Sequence, residues 1–421
     1  MSIRDHLTDL RPLRSSGPFR ALWVGTSLAG IGSQVANIAA LAQVWEITHN
    51  PVWTGTLGLA SGMAMIALGP VGGTLADRFD RRSIMRLSTL AQAIAAVALS
   101  AQAAAGLHSV ALLLALIAVQ SAATALGAPA RRTMPPRLLP ANEVAAGLAL
   151  QNLSFQAALL IGPAVGGFIV AWSLPAAYAA ETIAVAAALA STFALPPLPP
   201  ASAAPRRRAE RGGWTYLFRR PTLWGSFATD LTATLLAMPI ALFPLVNQER
   251  FGGDPRTLGF FLSAIAIGGI LAGTLSGAVT RAKRAGLIQL GAATIWGLAL
   301  AGFGLAVPLW LSLACLALAG AADTVSVVTR GALVQLETPD GFRGRVSAVE
   351  HVIGVAGPQL GNFRGGILGA LVGAQAALAI GGLSAAAAVI AVGATNRALR
   401  EYRLPLDERS ESRDRNLNPA A

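Results

Sequence analysis

Apolar residues in this chain gather in runs of roughly 20, long enough to cross about 30 Å of hydrocarbon as helices. No stretch shows the period-two alternation over about 10 residues that a membrane barrel requires. Twelve runs are predicted as membrane-spanning helices: 21–44, 52–76, 83–105, 109–129, 143–171, 175–196, 223–247, 257–280, 285–305, 309–330, 346–369 and 373–395. The connectors between them are short and polar. The longest, 197–222, follows Leu195-Pro196, holds Pro197, Pro199 and Pro200, continues through Arg206-Arg207-Arg208, and divides the runs six and six. The predicted organisation is therefore a first helical bundle over 1–196, a linker over 197–222, a second bundle over 223–400 and a polar tail, 401–421, expected to be disordered. Within the linker, Gly213-Trp214-Thr215-Tyr216-Leu217-Phe218 is expected to form a short surface helix with Trp214, Leu217 and Phe218 toward lipid.

Composition agrees with an all-α integral membrane protein. The 421 residues are 54% hydrophobic and 12% charged, with a mean hydropathy of +0.58, whereas soluble chains carry about 25% charged residues. The first 20 residues lack the apolar core and cleavage site of a signal peptide. A net charge of +12 suggests nucleic acid at first sight. Its placement argues otherwise. Of 32 lysines and arginines, 29 fall in the termini and in alternate connectors or, as Arg86 and Arg330, at the run ends that border those connectors; Arg250 and Arg256 fall in the opposite connectors, and Arg364 sits well inside a run. By the positive-inside rule both termini are expected in the cytoplasm, with no nucleic-acid partner. Trp23, Trp45, Trp53, Trp172, Trp224 and Trp310 lie near run ends, as an interfacial belt requires, and Trp296 lies mid-run.

The two halves echo one another. Gly162-Pro163-Ala164-Val165-Gly166-Gly167 in run 5 is matched by Gly357-Pro358-Gln359-Leu360-Gly361-Asn362 in run 11. The match has the same orientation, which implies two parallel six-helix repeats, an architecture of secondary transporters. Gly162, Pro163, Gly166 and Gly167 also mark a candidate helix bend, since proline removes a backbone donor; close packing is the alternative reading.

The densest charge cluster is the turn between runs 2 and 3, Gly73-Thr74-Leu75-Ala76-Asp77-Arg78-Phe79-Asp80-Arg81-Arg82. It resembles the signature loop of the major facilitator superfamily, with Asp80 where glycine is commoner. Thr338-Pro339-Asp340-Gly341-Phe342-Arg343-Gly344-Arg345-Val346 resembles a stretch of the branch that holds enterobactin (siderophore) exporters and related efflux proteins. The Gly162–Gly167 element looks like one associated with antiporters. Run 4 departs from the drug–proton antiporter pattern, since 109–130 contains no arginine.

The resemblance implies a secondary active transporter: proton-coupled efflux of a small amphipathic molecule, drug-like or siderophore-like, by alternating access, in a monomer within the lipid bilayer. It implies that Gly73, Asp77, Arg78, Arg81 and Arg82 form a conformational switch. Asp77 would meet the helix N-terminus near Arg345–Ser347 when the cytoplasmic side closes, favoured by the helix dipole. Import or lipid flipping within the same superfamily, and a non-transporting receptor or assembly factor, are the alternatives.

Chemistry of other kinds finds no support. The single lysine, Lys283, follows Ala282, so there is no phosphate-binding GK[ST] loop. GxSxG and HExxH are absent, and His6, His49, His108 and His351 are scattered. One cysteine, Cys315, makes no metal cluster or disulfide framework. No enzyme activity, cofactor or metal is expected.

The informative residues are ionisable groups at membrane depth, each costing roughly 2.5–3.5 kcal/mol at a helix centre. They are Glu181, Asp230, Asp323, Glu350, His351 and Arg364. Asp230, Asp323 and Glu350 are candidates for proton coupling; permanent pairing, or first-turn stabilisation for Glu350, is the alternative. Arg364 is a candidate contact for an anionic substrate group, or a partner for an acid such as Glu181. Gln34 and Asn37, one turn apart on run 1, and Gln151 and Asn152 on run 5 are candidate cavity residues, or else hydrogen-bonding glue between helices.

Overall fold

A computed structural model describes residues 9–199, 213–275, 277 and 284–403. Lys283, the Arg206–Arg208 stretch, the Trp214 side chain and the tail beyond 403 lie outside this description. Among the described residues, eleven helices are long and apolar enough to cross a membrane. They are α1 (Gly17–Thr48), α2 (Pro51–Arg78), α3 (Arg81–Ala104), α4 (Val110–Arg132), α5 (Val144–Trp172), α6 (Leu174–Ser191), α7 (Pro221–Phe251), α8 (Pro255–Thr274), α9 (Ala285–Leu305), α10 (Leu309–Glu337) and the run Asp340–Thr395. That last run leaves helical geometry at Gly373, where φ is 81° and ψ is 165°, so it is two helices meeting at a corner. Its parts are labelled α11 (340–372) and α12 (374–395).

Helix starts follow local chemistry. Ser16, Asn50, Asp80, Ser109, Ser173 and Asp254 each accept a hydrogen bond from a first-turn backbone N–H. Proline occupies the first helical positions of α2, α7 and α8, where its missing donor costs nothing.

α5 remains one helix through Pro163. The break lies in α7 instead: Pro221–Ala237 ends at Met238-Pro239, a 3-10 turn spans Ile240–Leu242, and the helix resumes over Phe243–Phe251. Pro239 and Pro244 cannot supply the N–H groups that a continuous helix would need.

Helix pairing repeats along the chain. α1 packs on α5 and α6, α2 on α4, and α3 on α4 and α6; in the same pattern α7 packs on the α11–α12 run, α8 on α10, and α9 on α10 and the α11–α12 run. The halves are joined chiefly by α2 with α11 and α5 with α8. The outer surface carries large apolar side chains, among them Leu87, Ile183 and Leu371 at 69%, 71% and 75% exposure. Alanine, glycine and small polar residues supply much of the inter-helix contact, as expected where lipid is as apolar as the core. Trp53, Trp172, Trp224 and Trp310 are exposed, while Trp296 is buried.

The linker helix Gly213–Phe218 does not lie wholly toward lipid. Leu217 is in the core, and Tyr216 stacks on Phe342 at 4.5 Å and donates to the Glu337 carbonyl at 2.9 Å. This fastens the linker to the α10–α11 turn.

Candidate functional site

The halves meet at the end of the helices remote from the arginine-rich connectors. There Thr54 donates to the Ala241 carbonyl at 2.7 Å, and the Ala241 N–H donates to Asn362 Oδ1 at 3.2 Å. The α7 break thus presents both its backbone groups to α2 and α11. Gly55 makes the approach possible, since a Cβ there would stand 2.8 Å from the Asn362 carbonyl oxygen and 2.9 Å from Phe363 Cα. On the opposite side Ser263 donates to the Leu160 carbonyl at 2.8 Å, and a Cβ on Gly167 would stand 2.8 Å from the Pro255 oxygen. Arg256 lies over the Phe168 ring at 5.5 Å. Toward the arginine-rich end a Cβ at Gly69, Gly73, Gly273 or Gly354 would meet nothing within 4 Å among the described residues.

The Gly162–Gly167 element lies at close helix contacts. Gly166 lets α5 approach Val35 of α1, Gly162 faces Gln34, and Gly167 faces α8.

Behind the contact at the remote end lies a cavity of about 400 Å³. Gln34 and Asn37 line it from α1, Gln120 from α4, Glu181 from α6, and Gln359 and Asn362 from α11. Leu41, Leu57, Leu99, Ile117 and Ile240 supply apolar wall. Glu181 is 1% exposed, and its Oε1 accepts from Gln120 Nε2 at 2.6 Å. Gln151 lines a second space of about 340 Å³ on the arginine-rich side, with Arg131 and Arg132, and Gln34 borders both. Asn152 is exposed and lines neither.

The second half holds a cavity of about 200 Å³, sharing Ile240 with the first. Asp230 of α7 and Asp323 and Arg330 of α10 line it. Arg330 was counted above with the connector that borders its run. It lies inside α10, 6% exposed, ion-paired to Asp230 and within 3.6 Å of Glu350 on α11. Its Nε and Nη1 stand at ion-pair distances from these acids without a hydrogen-bond partner. Asp323 is exposed to the cavity. Acids from two other helices, Asp230 and Glu350, thus reach one guanidinium, and Asp323 of its own helix lines the same cavity. The sequence signal for this was an arginine seven residues into the chain after Asp323; only the helix length shows that it is intramembrane.

Arg364 does not reach the central cavity. Its Nη1 donates to the Leu236 carbonyl at 2.6 Å, in a lateral space between α7 and α11 lined by Leu235, Phe363 and Ile367. That carbonyl lies next to the α7 break, where helical partners are missing.

In the α2–α3 turn, Asp77 and Arg78 are exposed, and Arg81 and Arg82 are half-buried. Asp80 has a structural role: its carboxylate accepts from the Ser83 N–H at 3.1 Å and the Leu198 N–H at 2.9 Å. The Arg81 N–H returns a bond to the Leu198 carbonyl. Arg86 donates twice to the Thr192 carbonyl and covers the Phe193 ring at 4.7 Å. The turn is thereby bolted to the end of α6.

The family profile described as "Transmembrane secretion effector" matches residues 7–418. The chain belongs to that family, within the major facilitator superfamily. This secretion-effector homologue is 27% identical over 378 residues to an enterobactin exporter, EntS, of Shigella boydii serotype 18, covering 88% of this chain and 90% of the relative. It is 26% identical over 378 residues to the EntS of Escherichia coli O1:K1, with the same coverage. Among solved structures, a mutant of the nucleoside transporter NupG superposes with a TM-score of 0.74 at 14% identity, covering 90% of this chain and 99% of that one. A bacterial homologue of the iron transporter ferroportin, in an inward-facing state, gives 0.69 at 14% identity, covering 91% and 98%. The protein is a multi-pass membrane transporter with the major facilitator fold.

Proposed function

We propose that this protein is a proton-coupled exporter of a small amphipathic molecule, siderophore-like or drug-like, in a bacterial inner membrane. It crosses the bilayer twelve times as two six-helix bundles over 1–196 and 223–400, with α11 and α12 crossing separately, both termini in the cytoplasm, and works as a monomer. The direction of transport follows the relatives, which are enterobactin exporters, at 26–27% identity.

The observation that carries the coupling is the Asp230–Arg330–Glu350 cluster beside Asp323. Three carboxylates against one guanidinium leave the site net negative when all are ionised, and each uncompensated charge at membrane depth is costly. A proton on one acid changes which partner holds Arg330. Because α7, α10 and α11 each supply one member, that exchange alters how these helices are tied. Alternating access is supported by the inter-bundle contact: Thr54, Ala241 and Asn362 close the remote end, and glycines toward the arginine-rich end face open space. This is the state open to the cytoplasm. In the opposite state Asp77 engages the N-terminal turn of α11, with Arg78, Arg81 and Arg82 holding the turn at the membrane surface and Gly73 permitting the approach.

The test is efflux into inside-out vesicles or proteoliposomes with and without an imposed pH gradient. Wild type is expected to accumulate substrate only with the gradient. Asp230→Asn is expected to lose gradient-driven accumulation while inserting normally, and normal accumulation in that variant would sink the coupling scheme.

A further inference from the structure

The central cavity contains one carboxylate, Glu181, and its charge is unbalanced. Oε1 is held by Gln120, but Oε2 is buried without a hydrogen-bond partner. The groups around it are already committed. The Tyr178 hydroxyl donates to Gln43 Oε1 at 2.8 Å, and Gln43 and Gln102 exchange two amide bonds at 3.1 and 3.0 Å. Among the described residues lining the cavity there is no arginine, lysine or histidine. Arg364, the basic group the sequence offered as a partner for Glu181, is bound to Leu236 in the lateral space, and Arg330 serves the other cavity.

A buried carboxylate is tolerated when something neutralises it. Nothing on α1, α2, α4 or α11 at this cavity does so. The remaining wall fits an amphipathic guest. Gln34, Asn37, Gln359 and Asn362 supply neutral amides on one side, and Leu41, Leu57, Leu99 and Ile117 supply apolar surface on the other. About 400 Å³ lies within the range of small-molecule sites, and a few convergent polar groups on apolar lining are their usual build.

We infer that Glu181 is the anchor for a positively charged nitrogen or other cationic centre of the transported molecule, so that the central cavity binds organic cations with an apolar body. Gln120 positions the carboxylate by holding Oε1, which leaves Oε2 to the ligand. The inference rests on the transporter reading above but is tested by binding, which does not need transport to be driven.

Equilibrium binding of two permanent organic cations, tetraphenylphosphonium and ethidium, is measured on the full-length protein in lipid nanodiscs. Wild type is expected to bind both. Glu181→Gln keeps the shape and the Gln120 contact but not the charge, and is expected to weaken both at least tenfold. Glu181→Asp keeps the charge and is expected to lose less. Equal affinity in wild type and Glu181→Gln overturns the inference, as does a wild type that binds neither cation. If Glu181→Gln binds both cations normally but loses pH-gradient-driven flux, Glu181 is a proton site and the ligand assignment fails. If wild type binds the cations through Glu181 yet shows no gradient-driven flux, the binding assignment stands and the coupled-exporter reading fails.

Discussion

Arg330 is the residue whose removal should cost this protein most. It is 6% exposed, and its ion-pair partner Asp230 is 8% exposed, so neither has water to fall back on. Arg330→Gln leaves Asp230 buried and uncompensated, with Asp323 lining the same cavity and Glu350 losing its one described cation. Breaking a buried pair from one side costs about 3–5 kcal/mol, because the surviving charge keeps its desolvation penalty. Asp230→Asn in the same chain removes that stranded charge. The double variant should therefore be more stable than Arg330→Gln alone, with an interaction energy of about 1–3 kcal/mol. The assay is unfolding of purified protein in mixed micelles, followed by intrinsic fluorescence, for wild type, both single variants and the double. Arg330→Lys retains charge without the planar fork and should fall between wild type and Arg330→Gln. The reasoning is refuted if Arg330→Gln unfolds with wild type, or if the two single effects simply add.

Gly55→Val places a side chain against Asn362 and Phe363 backbone that cannot swing away, so α2 and α11 should part at the remote end. In a Cys315→Ala background carrying Gln359→Cys, labelling by an impermeant maleimide from that side should rise; unchanged labelling would count against the closed-end description. Asp77→Asn should slow switching between the two open states without changing which substrates are carried, and an unaltered transport rate together with unaltered two-sided cysteine accessibility would contradict the latch role. Arg364→Gln should keep substrate affinity, since Arg364 lies off the central cavity, while lowering stability by about 1–3 kcal/mol through the unpaired Leu236 carbonyl. A large loss of affinity with stability intact would return Arg364 to the substrate path.

The sequence by itself determined the class of protein, the helices and their order, because a membrane makes those properties one-dimensional. A run must be apolar and about 20 residues long to cross, and basic residues accumulate in connectors on one side. Helix starts were likewise local: Ser16, Asn50, Asp80 and Ser173 cap the turns that follow them. The rotation of each helix was not legible. A helix apolar toward lipid and apolar toward its neighbours has no polar face to betray its inward side, so Asn152 and Gln151, adjacent in sequence, could not be told apart. For the same reason Arg364 looked like a cavity residue.

Tertiary structure also decided the partners. Asp230, Arg330 and Glu350 sit on three helices spread over more than a hundred residues, and only packing joins them. Gln120 meets Glu181 across 61 positions. The Gly162–Gly167 element reads in sequence as a bend or a packing surface, and only the tertiary structure sets α1 and α8 against it. The break fell in α7, where its freed backbone groups meet Thr54 and Asn362. Spacing along one helix carries no record of the helix opposite, and at this site the helix opposite supplies half of every contact.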